Sequence, residues 1–243
     1  KESDCVNQWN FDTDTVQITE EATYIISGTL NNGIILVDAE DTAKLQIVLN
    51  GVSITNESSA ALYILSADKV FVTLAEGTEN TLANGGSFIA IDKNNIDAVV
   101  FSKQDLTFNG TGNLIITSPN GNGIVGKDDL VFTGGNYTIN PSSHGIEAND
   151  SVRITGTTQI TVDAGKDGIH CENNDDTSLG FIYISAGTLN IEAEGDGISA
   201  SAYMQIVDGT FSVLAGGGSE NGSSQSSNTW GAFMGGDMPP GQP

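Results

Sequence analysis

One stretch of the chain, residues 145–167, decides the fold, and it reads GIEANDSVRITGTTQITVDAGKD. Three short segments in it, at 146–148, 152–154 and 160–162, alternate apolar with polar side chains. Because successive side chains of a strand point to opposite faces, this period of two predicts three strands that each bury one face. Polar residues and Gly156 separate the segments, as tight turns require.

The same layout recurs along the chain, and each unit begins with a glycine followed by an aliphatic residue. The clearest of these glycines are Gly123, Gly145, Gly168 and Gly197. Their spacings are 22, 23 and 29 residues, and weaker copies begin near residues 33, 61 and 99. A β-sandwich would show no fixed period. Three short strands repeated about six or seven times predict an all-β, single-stranded solenoid, the parallel β-helix, with one repeat per rung.

The two ends of the chain differ from these repeats. We expect the solenoid, with an N-terminal capping segment, to span residues 1–215, and a Gly-, Ser- and Pro-rich tail to occupy 216–243. The large apolar side chains of this tail are Trp230, Phe233 and Met234. We expect them to pack on the solenoid as a cap, so that the tail is partly ordered.

The two cysteines can be placed from the repeat. Equivalent residues of successive rungs lie about 4.8 Å apart, so each position of the repeat forms a column. Cys171 shares an inward column of small residues with Gly126, Ala148 and Ala200, which predicts a buried thiol. Bridged cysteines have Cα atoms within about 7 Å of each other. A disulfide with Cys5 therefore requires the N-terminal segment to run along the flank of the solenoid; otherwise both thiols are free.

Composition and charge exclude several classes of protein. The 243 residues include 31 Asp and Glu but 8 Lys and Arg, for a formal net charge of −23. This charge opposes binding to nucleic acid or to an anionic membrane surface, and no apolar run reaches the roughly 18 residues of a membrane-spanning helix. An acidic composition rich in Asn, Gly, Ser and Thr is typical of a bacterial secreted or cell-surface protein, and we expect a monomer.

The repeat gathers part of this negative charge at one edge of three consecutive rungs. The acids at this edge are Glu147, Asp163, Asp167, Glu172, Glu192, Glu194 and Asp196. The 29-residue unit also carries an acidic insertion at 173–178 beside them. An insertion on one face of a regular solenoid is often part of a binding surface.

Stacked carboxylates repel one another unless cations lie between them. Calcium is the cation that suits a set of oxygen ligands at flexible spacing, whereas a transition metal would favour more than the two histidines of the chain. We therefore expect more than one Ca²⁺ ion at this edge; the alternative is an ordinary solvated acidic surface. The expected ligands are Glu147, Asp163, Asp167, Glu172, Asp175 and Asp196.

Several segments resemble the bacterial carbohydrate-binding β-helix domain family. They are 26–33 (ISGTLNNG), 49–56 (LNGVSITN), 66–70 (SADKV) and 167–170 (DGIH) followed by 175–180 (DDTSLG). The resemblance covers about residues 15 to 215. It implies a secreted, calcium-containing, right-handed parallel β-helix related to pectate lyases, which binds plant cell-wall polysaccharide, notably polygalacturonate and as a second candidate cellulose.

One motif departs from the pattern of the related lyases. Those enzymes carry an Asp-Asp-Gly-x-Asp calcium turn and a Lys or Arg that abstracts the C5 proton. The corresponding residues here are Lys166-Asp167-Gly168-Ile169-His170. Only the acid of Asp167 is kept, which casts doubt on a lyase-type catalytic calcium, although Glu147 and Glu172 could compensate.

A non-catalytic binding module is the first functional hypothesis. An acidic polysaccharide and an acidic protein repel each other, and calcium would remove this conflict by bridging their carboxylates. Exposed polar groups would add hydrogen bonds, and exposed rings would stack on sugar rings. The expected glycan contacts are Asn149, His170, Tyr183, Ser201 and Tyr203.

A calcium-dependent pectate lyase acting by β-elimination is the alternative. It needs a base near the metal, for which Lys127 and Lys166 are the candidates; the single arginine, Arg153, lies on a neighbouring strand. Both lysines also fit a charge-balancing role beside the acids. A third hypothesis, a structural surface repeat or adhesin, predicts no affinity for glycans.

Overall fold

The computed structural model describes residues 15–89 and 92–218, and every regular element in these ranges is a β-strand. The first seven strands are β1 (Thr15–Ile18), β2 (Thr23–Asn31), β3 (Ile34–Asp38), β4 (Lys44–Asn56), β5 (Leu62–Ser66), β6 (Lys69–Leu74) and β7 (Glu79–Asn84). No helix in the described ranges could cross a membrane.

The remaining strands follow in sets of three per repeat. They are β8 (Ala98–Ser102), β9 (Asp105–Gly110), β10 (Asn113–Ser118), β11 (Asn122–Gly126), β12 (Asp129–Phe132), β13 (Asn136–Pro141), β14 (Ile146–Ala148), β15 (Ser151–Ile154), β16 (Gln159–Ala164), β17 (Ile169–Cys171), β18 (Phe181–Ile184), β19 (Thr188–Ala193), β20 (Ile198–Ala200), β21 (Met204–Ile206) and β22 (Thr210–Ala215).

All strand pairings are parallel, and from β5 onward each strand pairs with the strand three places further along the chain. The first sheet has eight strands in the order β1-β3-β5-β8-β11-β14-β17-β20. A larger sheet contains two further ladders, which β4 joins by pairing with β6 through Lys44–Leu49 and with β7 through Ser53–Asn56. The chain is therefore an all-β protein of parallel sheets, as the repeat predicts.

The register confirms the predicted inward columns. Ile146 pairs with Ile169, which pairs with Ile198, and Ala148 pairs with Cys171. A continuous apolar core runs along these columns, from Ile18 in β1 to Ala193 in β19. Cys171 is buried and free, and burial raises the pKa of its thiol to about 12. Cys5, the other cysteine of the chain, lies outside the described residues.

The first sheet has eight parallel strands in the described residues. Strands β1 and β2 precede the first repeat unit that the sequence pattern shows, which begins near residue 33. β2 and β4 are long strands of 9 and 13 residues, in which the boundaries between repeat segments are hidden. The expected N-terminal cap before residue 15 and the tail anchors Trp230, Phe233 and Met234 lie outside the described residues.

The outer face of the first sheet changes character along one column. Tyr63, Phe101 and Val125 are paired in register, and the column continues through Glu147 to His170 and Ser199. The three apolar members are buried in a second cluster with Ile96 from the segment before β8. This segment covers the N-terminal half of the face and leaves the half that begins at Glu147 open.

Candidate functional site

A groove of about 340 Å³ lies on the open half of the first sheet. Its polar lining residues are His144, Glu147, Asn149, His170, Glu172, Asn173, Asn174 and Asp175. Strands β14 and β17 position the central members, because Glu147 and His170 are paired outward residues of these strands. The groove therefore brings together three of the predicted calcium ligands and two of the predicted glycan contacts.

Two histidines surround Asp167 at the rim of this groove. Asp167 Oδ2 lies 3.4 Å from His144 Nδ1 and 3.1 Å from His170 Nδ1. The two imidazole rings stack, with centroids 4.9 Å apart. Asp167 Oδ1 accepts a hydrogen bond of 2.7 Å from the backbone N–H of Asp196. Burial lowers the pKa of His144, against the opposing effect of the Asp167 charge.

Glu147 is held by two neighbours at the floor of the groove. Its Oε2 accepts a hydrogen bond of 3.2 Å from Asn122 Nδ2, and its Oε1 lies 3.5 Å from Lys127 Nζ. The same Asn122 accepts the backbone N–H of His144 through Oδ1. Lys127, a candidate base, is thus an ion-pair partner of Glu147. Lys166, the other candidate, is an exposed residue of the turn before Asp167.

The acidic insertion forms the wall of the groove, and Asn173 organises it. Asn173 Oδ1 accepts the backbone N–H groups of Asp175 and Asp176 at 3.0 and 2.8 Å, and its Nδ2 donates to Asp150 Oδ1. The backbone N–H of Asn173 donates to Ser201 Oγ at 3.1 Å. Ser201, predicted as a glycan contact, therefore supports the loop, and the exposed Asp175 carboxylate remains available at the groove.

The other predicted acids are not in this groove. Asp163 pairs with Glu192 between β16 and β19, and both line a second groove together with Glu194. Asp196 is exposed in the turn before β20 and contributes its backbone N–H to the Asp167 carboxylate. The structure thus separates the acids that the repeat places at one edge into two groups.

Two stacked aromatic rings lie after the insertion. They belong to Phe181, the first residue of β18, and to Tyr203, the residue before β21. Phe181 and Tyr203 stack with centroids 4.9 Å apart and planes within 1°, and Tyr203 is 50% exposed. The guanidinium of Arg153 lies 5.3 Å from the centroid of Phe181, and Tyr183 is paired with Arg153 in register. Tyr183 and Tyr203 are glycan contacts expected from the sequence, but Phe181 is not among them. The repeat could have identified Phe181. It directly precedes Ile182, as Tyr203 directly precedes Met204, and Ile182 and Met204 are equivalent residues of β18 and β21.

Comparison with known proteins adds a family context to this geometry. A family model described as "Carbohydrate-binding domain-containing protein" matches residues 12–235. A protein of the same description from Acetivibrio thermocellus is 38% identical over 204 residues, which are 83% of this chain and 71% of that relative. A solved structure of a polysaccharide lyase-like protein from C. thermocellum, as a gadolinium derivative, is 37% identical with a TM-score of 0.83, covering 89% of this chain and 88% of that chain.

Proposed function

The chain belongs to the family of carbohydrate-binding domain-containing proteins, and we propose that it binds acidic plant cell-wall polysaccharide through calcium, without cleaving it. Polygalacturonate is the expected ligand and cellulose a second one. The proposed location is the bacterial cell surface or the extracellular medium, where such a polysaccharide is met.

The groove on the first sheet is the observation that carries this proposal. Glu172 and Asp175 present exposed carboxylates there, and Asn149 adds an amide oxygen. This donor set consists of hard oxygens, which is the chemistry that Ca²⁺ selects. When bound, calcium would supply positive charge that a uronate carboxylate can coordinate. The side chains of the groove hold the ion and set the position of the sugar chain.

Calcium resolves an electrostatic conflict at this surface. Glu147, Asp167, Glu172 and Asp175 bring four acids to one region, while Lys127 is the one lysine paired with an acid of the groove in the described residues. A polyuronate would be repelled by such a surface. Bound calcium would neutralise part of this charge and give the uronate carboxylates a cation to coordinate.

The aromatic pair provides a second contact for the glycan. Strand β18 begins at Phe181, three residues after the insertion 173–178. The loop that forms the wall of the groove therefore also leads to the stacked rings of Phe181 and Tyr203. Sugar rings pack their C–H faces on such rings. Arg153 beside Phe181 offers a positive charge to a uronate, although Asp129 Oδ2 lies 3.5 Å from it. We assign cellulose, an uncharged chain, to the rings and polygalacturonate to both surfaces.

A lyase is the second candidate, favoured by the polysaccharide lyase-like name of the solved relative. Its base would have to be Lys127 or Lys166. The amino group of Lys127 is engaged in the ion pair with Glu147, so it is not free to approach a substrate proton. Lys166 is exposed in the turn before Asp167, outside the lining of the groove. These surroundings favour binding over cleavage.

For the fold, we propose the right-handed parallel β-helix. The parallel pairing at a constant interval of three strands supports a solenoid, and connections between parallel strands of one sheet are right-handed in about 98% of cases. An experimental structure would test the handedness directly.

Calorimetric titration of polygalacturonate in calcium buffer tests the proposed site. We expect the double variant Glu172→Gln/Asp175→Asn to lose binding, because it removes two carboxylates of the groove. Glu79→Gln, an exposed acid at the start of β7, is the matched control and should bind as the wild type does. Equal affinity of the double variant and the wild type would refute the site. Release of unsaturated uronide, seen as ultraviolet absorbance, would instead establish the lyase.

A further inference from the structure

The only two histidines of the chain meet at one carboxylate oxygen, although they come from different rungs. His144 precedes β14, and His170 lies on β17. Their Nδ1 atoms lie 3.4 and 3.1 Å from Asp167 Oδ2. One ligand atom from each of the three residues falls within 4.8 Å of the other two. Imidazole nitrogen and carboxylate oxygen are ligands that zinc takes in proteins.

The three atoms are close to one another without being aimed at one another. Both Nδ1 atoms are buried, and neither has a hydrogen-bond partner among the described residues, even though Asp167 Oδ2 is within ion-pair distance of each. Ligands of a common metal have this relationship, because each points to the ion and not to its neighbours. Metal–ligand bonds of about 2.1 Å in a tetrahedron separate adjacent ligand atoms by about 3.4 Å, close to the two N–O distances.

The surroundings of the cluster prepare these atoms for a metal. His170 Nε2 lies 3.4 Å from Glu172 Oε2, and a proton held between them leaves Nδ1 with its lone pair free. Asp167 Oδ1 accepts the N–H of Asp196, so Oδ2 faces the histidines. A Cβ atom at residue 195 would collide with Asp167 Oδ1, so Gly195 leaves the space that this carboxylate occupies. Outer contacts of this kind orient metal ligands.

We infer that His144, Asp167 and His170 form a binding site for a divalent transition metal of the zinc class. Two nitrogen donors and one oxygen do not suit calcium, which takes six to eight oxygens, but they suit Zn²⁺, Co²⁺ and Ni²⁺. The three side chains are 17 to 22% exposed, so a fourth coordination position is open to water or to an oxygen of a bound ligand.

This site is distinct in chemistry from the calcium groove of the proposed function, although the two adjoin. Asp167 and the two histidine nitrogens would coordinate the transition metal, while Asn149, Glu172 and Asp175 would provide the oxygen ligands for calcium. Glu172 is shared, because it also contacts His170 Nε2. The inference does not depend on glycan binding and can hold if the proposed function fails.

Cobalt binding tests the site on the full chain, after removal of metals with a chelator. We expect one Co²⁺ per chain, with the intense visible absorption of a four-coordinate ion, displaced by Zn²⁺ and unaffected by excess Ca²⁺. Loss of an outer contact weakens metal affinity by roughly 10- to 100-fold. We expect a larger loss of cobalt affinity from each of the ligand variants His144→Asn, His170→Asn and Asp167→Asn. Glu192→Gln, an acid of the second groove, is the control and should bind cobalt normally.

Proton NMR gives a readout that needs no variant. Because the chain has two histidines, titration of the wild type with Zn²⁺ should shift both sets of imidazole signals together, to an end point of one equivalent. Signals that do not move, or cobalt affinity that the histidine variants leave unchanged, would overturn the inference.

Discussion

Val125 and Glu147 are paired neighbours in one outward column of the first sheet, yet Val125 is fully buried and Glu147 lines an open groove. The difference arises outside the column. Ile96, in the segment before β8, packs with Tyr63, Phe101 and Val125 and covers the sheet up to this point. The proposed binding surface begins where that cover ends.

Ile96→Ala should destabilise the protein and leave the groove intact. Ile96 is 4% exposed, and truncation of a buried isoleucine costs about 2 to 5 kcal/mol through lost transfer energy and the cavity that remains. We expect about 2 kcal/mol, because this outer cluster is smaller than the main core. Urea denaturation measures the loss. A change below about 0.5 kcal/mol would show that the segment does not cover the sheet in solution.

Asn173→Ala should loosen the wall of the groove. The substitution removes hydrogen bonds to the N–H groups of Asp175 and Asp176 and to Asp150, each worth about 0.5 to 1.5 kcal/mol. We expect a loss of about 1.5 kcal/mol in the free energy of unfolding, the low end of this sum because the loop is exposed, and weaker polygalacturonate binding in calorimetry. Asn190→Ala, an exposed asparagine of β19, is the control. Equal glycan affinity for the two variants would contradict the role of the loop.

Asp97→Asn should change how stability depends on pH. Burial raises the pKa of Asp97, and the charge of Glu147 adds to this; Asp97 Oδ1 is also buried without a hydrogen-bond partner among the described residues. The folded state therefore holds the proton more tightly than the unfolded state, and stability falls as pH rises from the unfolded pKa of about 3.9 through the higher folded value.

Asparagine removes this titration. The stability of Asp97→Asn relative to the wild type should therefore be greater near pH 7 than near pH 3.5, in urea denaturation with a chelator present. If the variant and the wild type differ in stability by the same amount at both pH values, the raised pKa of Asp97 is disproved.

Phe181→Ala should weaken glycan binding without affecting metal binding. The substitution removes one ring of the stacked pair with Tyr203 and a contact worth about 0.5 to 1.5 kcal/mol beyond its buried area. We expect about a tenfold loss of affinity for cellulose and polygalacturonate. Phe71→Ala is the control, because Phe71 is a partly exposed ring in β6 of the same sheet. Similar effects of both variants would indicate general destabilisation instead of a binding platform.

Much of the fold follows from the period of the sequence. The columns through Ile146 and Ile169 could be predicted because parallel register repeats the inward positions from rung to rung. The burial of Val125 could not, since Ile96 lies in a segment that is not part of the repeat. The repeat could not be followed into β1 and β2, since long strands conceal the boundaries between repeat segments.

The candidate site was predictable in its register but not in its contacts. The repeat places His144 and Asp167 in one turn column and His170 nearby. It does not show that both imidazoles approach Asp167 Oδ2. That contact depends on the side-chain rotamers and on the Asp196 N–H, which holds the carboxylate. The expectation that a transition metal would need more histidines rests on composition, which does not show that both histidines approach one carboxylate oxygen. Ser201 stays a predicted glycan contact; the pattern does not reveal that its Oγ also accepts the backbone N–H of Asn173.

The dependence of polygalacturonate binding on calcium tests the central claim most directly. A binding isotherm of the full wild-type chain should be measured in calcium, in a calcium-selective chelator, and again after calcium is restored. We predict saturable binding in calcium, its loss in the chelator and its full recovery. Undiminished binding in the chelator, at the same ionic strength, would contradict the account.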